Sequence, residues 1–169
     1  MQAEPTINLQ TAYYHIQGAS ARSLRSSINA TRPKGQIHDA HTKWYITWTY
    51  SRRQIDGNIA LDNPKVSLVI NMTLPQWTVP EQTDERLKNH WQKYMTALRH
   101  HENGHATIGI QAARDIEKKL LTLPPVPSTD ALKDLVESAC QQILTEARTK
   151  EKKFDKETDH GMKQGARFP

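Results

Sequence analysis

The dominant period of this chain's hydrophobic residues changes near residue 83, and that change decides most of what it can fold into. Before it, apolar residues alternate. Trp44, Ile46, Trp48 and Tyr50 oppose Tyr45, Thr47 and Thr49, and Val66, Leu68, Ile70 and Met72 oppose Ser67, Asn71 and Thr73. A period of two describes a strand with one buried face. After the change, Leu87, Trp91, Tyr94, Leu98, Ile108, Ala112 and Ile116 share one helical stripe that runs to about Leu121. A bend or break is expected near Gly104, because the stripe is long for one uncapped helix. Pro124, Pro125 and Pro127 stiffen the connector, and Ser128 or Thr129 can cap a second helix. Leu132, Leu135, Val136, Ala139, Ile143 and Ala147 give that helix an apolar face, followed by a polar tail from Asp155 to Pro169.

The remaining elements are short. Residues 11–17 read as a strand and residues 20–29 as a helix with Leu24 and Ile28 four apart. Asp56-Gly57-Asn58 and Asp62-Asn63-Pro64 read as turns. The order is β-α-β-β, then two long antiparallel helices. The expected class is α+β, with a small mixed or antiparallel sheet. At 169 residues the chain suits a single domain, 1–169, with a sheet-containing part over 11–80 and a helical part over 81–169.

Composition excludes several classes. No run approaches 18 apolar residues, so no membrane span is expected. The net charge is +5, but the basic residues are dispersed, and the densest run, Arg148 to Lys156, is interleaved with Glu151 and Asp155. A nucleic-acid footprint would concentrate Lys and Arg among stacking aromatics, so nucleic acid is not the expected partner. The single cysteine, Cys140, can form neither an internal disulfide nor a thiolate zinc site, and its helical spacing suits a small core residue. The first residues lack the basic and apolar regions of a signal peptide. That fits a cytosolic protein, or an exported one whose signal has been removed.

His101-Glu102-Asn103-Gly104-His105 is an H-E-x-x-H string inside the expected helix. Chance supplies one in roughly 2 % of shuffled chains of this composition, so the pattern alone is suggestive. Its position adds to it. On a helix the two histidines lie about 40° and about 6 Å apart, close enough to share one ion, with Glu102 about 100° round. They also fall on the stripe of Leu98, Ile108 and Ala112, where buried imidazoles need polar partners or a metal. Zinc favours imidazole nitrogen and keeps an open position in catalytic sites. Glu102 is then a candidate catalytic base and acid. His100 and His90 cannot complete the set from the same helix. His160 is the best placed third ligand, with His38 and His41 as runners-up. Asp155, Thr158 and Asp159 are candidates for orienting a ligand. A carboxylate from Glu117 would lie too far along the helix.

The string His101-Glu102-x-Gly104-His105, with Asp155-x-x-Thr158-x-His160-Gly161 some fifty residues later, resembles the domain of unknown function family 922, described as predicted secreted zinc-dependent proteases. Gly18 with Leu24-Arg25, Thr42-x-Trp44, Leu74-Pro75-x-Trp77 and Trp91 are similar too, so the resemblance spans about residues 11 to 169. It implies a zincin-like fold, export, and His160 as third ligand. It departs at Phe154, where family members often carry Tyr.

The expected function is therefore a zinc metallopeptidase that uses Glu102 on a peptide or protein substrate. One alternating strand could align that substrate by strand addition. The competing readings are a zinc-containing binding or scaffold protein without catalysis, and an amidase acting on cell-wall peptides. Glu102 argues against the scaffold, because a structural site closes its fourth position and needs no such carboxylate.

Overall fold

The structure is a computed structural model that describes residues 4–169. It is α+β. The order is β1 (Thr6–Ile16), α1 (Ala21–Thr31), β2 (His41–Ile55), β3 (Asn58–Trp77), α2 (Glu85–Leu121), α3 (Thr129–Thr158) and a 3-10 turn, Met162–Gln164. The three strands form one small sheet in the order β1-β3-β2. No helix among the described residues is long and apolar enough to cross a membrane.

The element order matches the periodicity, and the differences lie at the boundaries. β1 begins at Thr6 rather than residue 11, because Ile7 and Leu9 extend the alternation of Thr11 and Tyr13. β2 and β3 run on to the two-residue turn Asp56-Gly57, whose φ values of 48° and 81° give the left-handed pair of a tight hairpin. Asp62-Asn63-Pro64, expected to be a turn, lies inside β3, with Asn63 absorbing the irregularity at φ 48°. α2 passes through Gly104 without a break. The tail also differs from its polar reading: α3 stays helical to Thr158, and Phe168 is buried.

Local chemistry sets the helix starts. Ser20 accepts from the Ser23 N–H at 3.1 Å while the Ser23 hydroxyl accepts from the Ser20 N–H at 3.0 Å, a reciprocal cap for α1. The Ser128 hydroxyl accepts from the Ala131 N–H at 3.1 Å at the start of α3.

Contacts divide the chain into two compact units. One comprises residues up to Asn8, Trp44–Ile70 and Thr107–Glu151. Its buried residues include Val66, Leu68 and Ile70 from β3, Ile116 and Leu120 from α2, and Leu132, Val136 and Cys140 from α3. Burial pushes the Cys140 thiol up to about 11, so it stays protonated as a small core residue. Here the Trp44 indole N–H donates to Glu151 at 2.8 Å, and its ring fills the space a side chain at Gly109 would need.

The other unit comprises Leu9–Lys43, Asn71–Ala106 and Lys152–Pro169. Its core joins Tyr14 and Ile16, Leu24 and Ile28, Leu74 and Trp77, Trp91, Tyr94 and Leu98, and Phe168. Each fully buried large apolar side chain in such a core contributes about 1.5–3 kcal/mol. The His101-to-His105 segment belongs to this unit.

Candidate metal centre

α2 presents His101 and His105 one turn apart on its buried side, with relative exposures of 4 % and 9 %. The last turn of α3 brings Asp155 between them. Asp155 Oδ1 lies 3.2 Å from His101 Nε2 and 3.0 Å from His105 Nε2. One donor atom from each of the three lies within 4.8 Å of the other two, so together they could hold a metal ion.

Two glycines make this packing possible. A Cβ on Gly104 would meet Phe154 Cζ at 2.3 Å, so only glycine lets the Phe154 ring lie flat on α2. That ring stacks on His101 (centroids 4.9 Å, 10°) and meets His105 edge-on (5.2 Å, 84°). Gly161, at φ 86°, turns the chain back toward α2, where a Cβ would meet His101 Cγ at 2.9 Å.

The hydrogen bonds around His101 fix its tautomer. The Thr158 hydroxyl donates to the Phe154 carbonyl at 2.8 Å, so its oxygen can only accept from His101 Nδ1, 3.4 Å away. Gln164 Oε1 lies 2.9 Å from the same nitrogen and also accepts. The proton therefore sits on Nδ1, and Nε2 turns a bare lone pair toward the Asp155 carboxylate. Two acceptors facing each other at 3.2 Å need a proton or a cation between or beside them. Protonating His101 is disfavoured, because burial lowers its basicity against the opposing pull of Gln164 and Asp155. A cation held by the donors would answer the arrangement.

The donor set suits zinc. Two imidazoles and one carboxylate are a set found in catalytic zinc sites. Bonds of about 2.05 Å at tetrahedral angles put donors ~3.3 Å apart. The two edges to Asp155, 3.0 and 3.2 Å, lie close to that.

Glu102 is buried, at 4 % exposure, and the Thr42 hydroxyl donates to its Oε2 at 2.5 Å. Burial raises its carboxyl above the usual range, with the Thr42 hydrogen bond pulling the other way. His160 follows α3 at φ 50°, its side chain 44 % exposed. Its ring stacks on His38 at 4.2 Å, and its Nδ1 lies 3.6 Å from Asp155 Oδ1. His41 begins β2. Thr158 touches His101 as above, whereas Asp159 serves the turn, its carbonyl accepting from the Met162 N–H at 3.0 Å.

The cluster thus brings together His101, His105, Glu102, Asp155, Thr158 and His160. It also contains two residues to which the sequence reading gave no role at the metal, Thr42 and Gln164. Thr42 had one signal, the start of the Trp-rich strand. Gln164 had none beyond lying between Gly161 and Gly165.

The family described as "Bacterial protein of unknown function (DUF922)" matches residues 11–161, most of the chain. No curated protein and no solved structure matches.

Proposed function

Because the chain belongs to DUF922, a bacterial family of unknown function, its activity must be read from its own site, and we propose a zinc-dependent peptidase. The observation that carries this reading is the bare Nε2 of buried His101 facing the Asp155 carboxylate at 3.2 Å. His101, His105 and Asp155 would hold the ion, and His160 remains the fourth candidate donor. When bound, zinc supplies Lewis acidity toward a carbonyl oxygen and toward water.

The chain's own residues do the rest. Gln164 and Thr158 accept from His101 Nδ1, which keeps Nε2 free to bind and fixes the ring. Phe154 covers both imidazoles and keeps water off that side. The Glu102 carboxylate, adjacent in sequence to His101 and anchored by Thr42, takes a proton from water and later gives it to the leaving amine. Burial strengthens it as a base, because a raised proton affinity favours the first transfer. A zincin-like arrangement and export are part of the same proposal, through the resemblance of the motifs.

Two measurements test it. Protein purified without added metal should carry about one zinc per chain by elemental analysis. Less than about a tenth, with no uptake on adding zinc, would remove the site. Glu102→Gln should retain zinc and fold while lowering peptide hydrolysis on the order of 10²-fold, read by mass spectrometry of a digested peptide library. Equal cleavage by both proteins rejects Glu102 as the base. If the library stays intact but cell-wall peptide amides are cut, the amidase reading replaces the peptidase.

A further inference from the structure

The Leu74-Pro75-x-Trp77 motif and Trp91 play no part at the metal cluster. Pro75, Trp77 and Trp91 instead line a separate groove of about 440 Å³. Trp77 and Trp91 meet edge-to-face there at 5.8 Å and 74°, and the Trp77 N–H is spent on the Gly18 carbonyl at 3.1 Å. Both indoles are mostly covered, at 7 % and 9 % exposure, so they form the base of the groove rather than its open surface. Met95 adds to this floor, and the rim exposes Tyr13 and Val79 at 40 % and 42 %.

The rim is cationic. Lys88 and Arg99 line the groove, and no Asp or Glu does. Lys88 is paired with Glu85 at 2.7 Å. Arg99 has no ion pair among the described residues. It is held in place by Tyr13, with the guanidinium 5.7 Å from the ring centroid and one N–H donated to the hydroxyl at 3.3 Å. A guanidinium has five donors, so this leaves a fork that matches a carboxylate, already oriented.

An apolar floor beside one pre-set, unpaired cation selects a ligand with a large apolar group next to a carboxylate. That is the chemistry of a peptide's last residue, and a groove of this volume is in the range of ligand pockets. We propose that this groove binds the C-terminal residue of a peptide, its apolar side chain against Tyr13, Val79 and Met95 above the Trp77 and Trp91 indoles and its carboxylate on Arg99. The site is independent of the metal: it is read as binding, so its failure and that of the peptidase reading are separate results.

The test uses the full chain with acetyl-Ala-Ala-Phe carrying a free carboxylate, the same peptide as its C-terminal amide, and free phenylalanine. Nuclear magnetic resonance follows the Trp77 and Trp91 indole signals, with and without zinc. The free-carboxylate peptide should shift both indoles saturably and independently of zinc. The amide should bind at least about tenfold more weakly, the scale of a lost charge-assisted pair. Arg99→Gln, at an exposed position, should bring the two peptides level, and Arg99→Lys should restore part of the difference. No saturable shift at millimolar peptide, equal binding of acid and amide, or an unchanged preference in Arg99→Gln would overturn the proposal. Free phenylalanine binding as tightly as the peptide would overturn the peptide as occupant.

Discussion

Two aspartates in the same unit sit among basic groups, and they are balanced differently. Asp39 receives both arms of Arg25 at 2.9 and 2.8 Å, Arg32 at 2.6 Å and the Tyr94 hydroxyl at 2.5 Å. Those cations are permanent, and they hold its carboxyl below the ordinary range despite burial. Asp155 has three imidazoles within 3.6 Å and no permanent cation at comparable distance among its described ion pairs. The first cluster draws its charges from within the chain, although Arg32 Nε is left without a hydrogen-bond partner among the described residues. The second could take a charge from outside the chain, and the proposed metal would supply it.

Removing the charge from each should therefore act on different properties. Asp39→Asn strands two mostly buried guanidinium groups and should cost about 3 kcal/mol of stability in denaturant titration, with zinc binding by the folded fraction retained. Asp155→Asn in the metal-free protein should change stability by less than about 1 kcal/mol, because an amide still hydrogen-bonds to imidazole. If the two substitutions cost the same without metal, the contrast fails.

The zinc-loaded protein gives the complementary test. Asp155→Ala should weaken zinc by about 10²-fold or more in competition with a chelator, and His160→Ala by less. The reverse order would make His160 the third ligand and Asp155 its orienting partner. Gln164→Leu removes an acceptor from His101 Nδ1 and should weaken zinc by about tenfold while leaving Asp39 untouched.

The sign of the pH dependence follows from Asp39. Its folded pKa is lowered, so its contribution is full above the unfolded value of about 3.9 and is lost as pH falls through the folded value. The stability gap between wild type and Asp39→Asn should thus be constant from pH 7 to about 5 and close only below about pH 4. A gap that closes near pH 6 would assign it to another group. The smallest effect belongs to neither cluster: Ser20→Ala should cost about 1 kcal/mol through the lost cap of α1 and leave metal affinity unchanged.

What could be read from the sequence follows from how local each signal is. His101, Glu102 and His105 were legible because one helix fixes their spacing, and a period of 3.6 places them without knowledge of the rest of the fold. The two strands around Trp44 and Val66 were legible for the same reason with a period of two. Asp155 was seen only as an orienting candidate, because its position beside His105 depends on Phe154 fitting over Gly104, fifty residues away. Thr42 under Glu102 is also a pairing of distant segments. Phe168 was missed because a lone aromatic in a polar tail has no period, and only its neighbours Trp91 and Tyr94 show that it belongs to the core.

Phe168 has a consequence for the order in which the site is made. Arg25 donates to its carbonyl from α1, so this helix waits for a residue made 143 positions later. Between α3 and that anchor lie Gly161 and Gln164, the residues that close around His101. Synthesis runs from the N-terminus, so the H-E-x-x-H segment exists for some time before its partners do. Until then His101 lacks its Gln164 acceptor. The nascent chain carries the H-E-x-x-H segment before the candidate site has its partners, and that site is set only when the Phe168 segment is anchored.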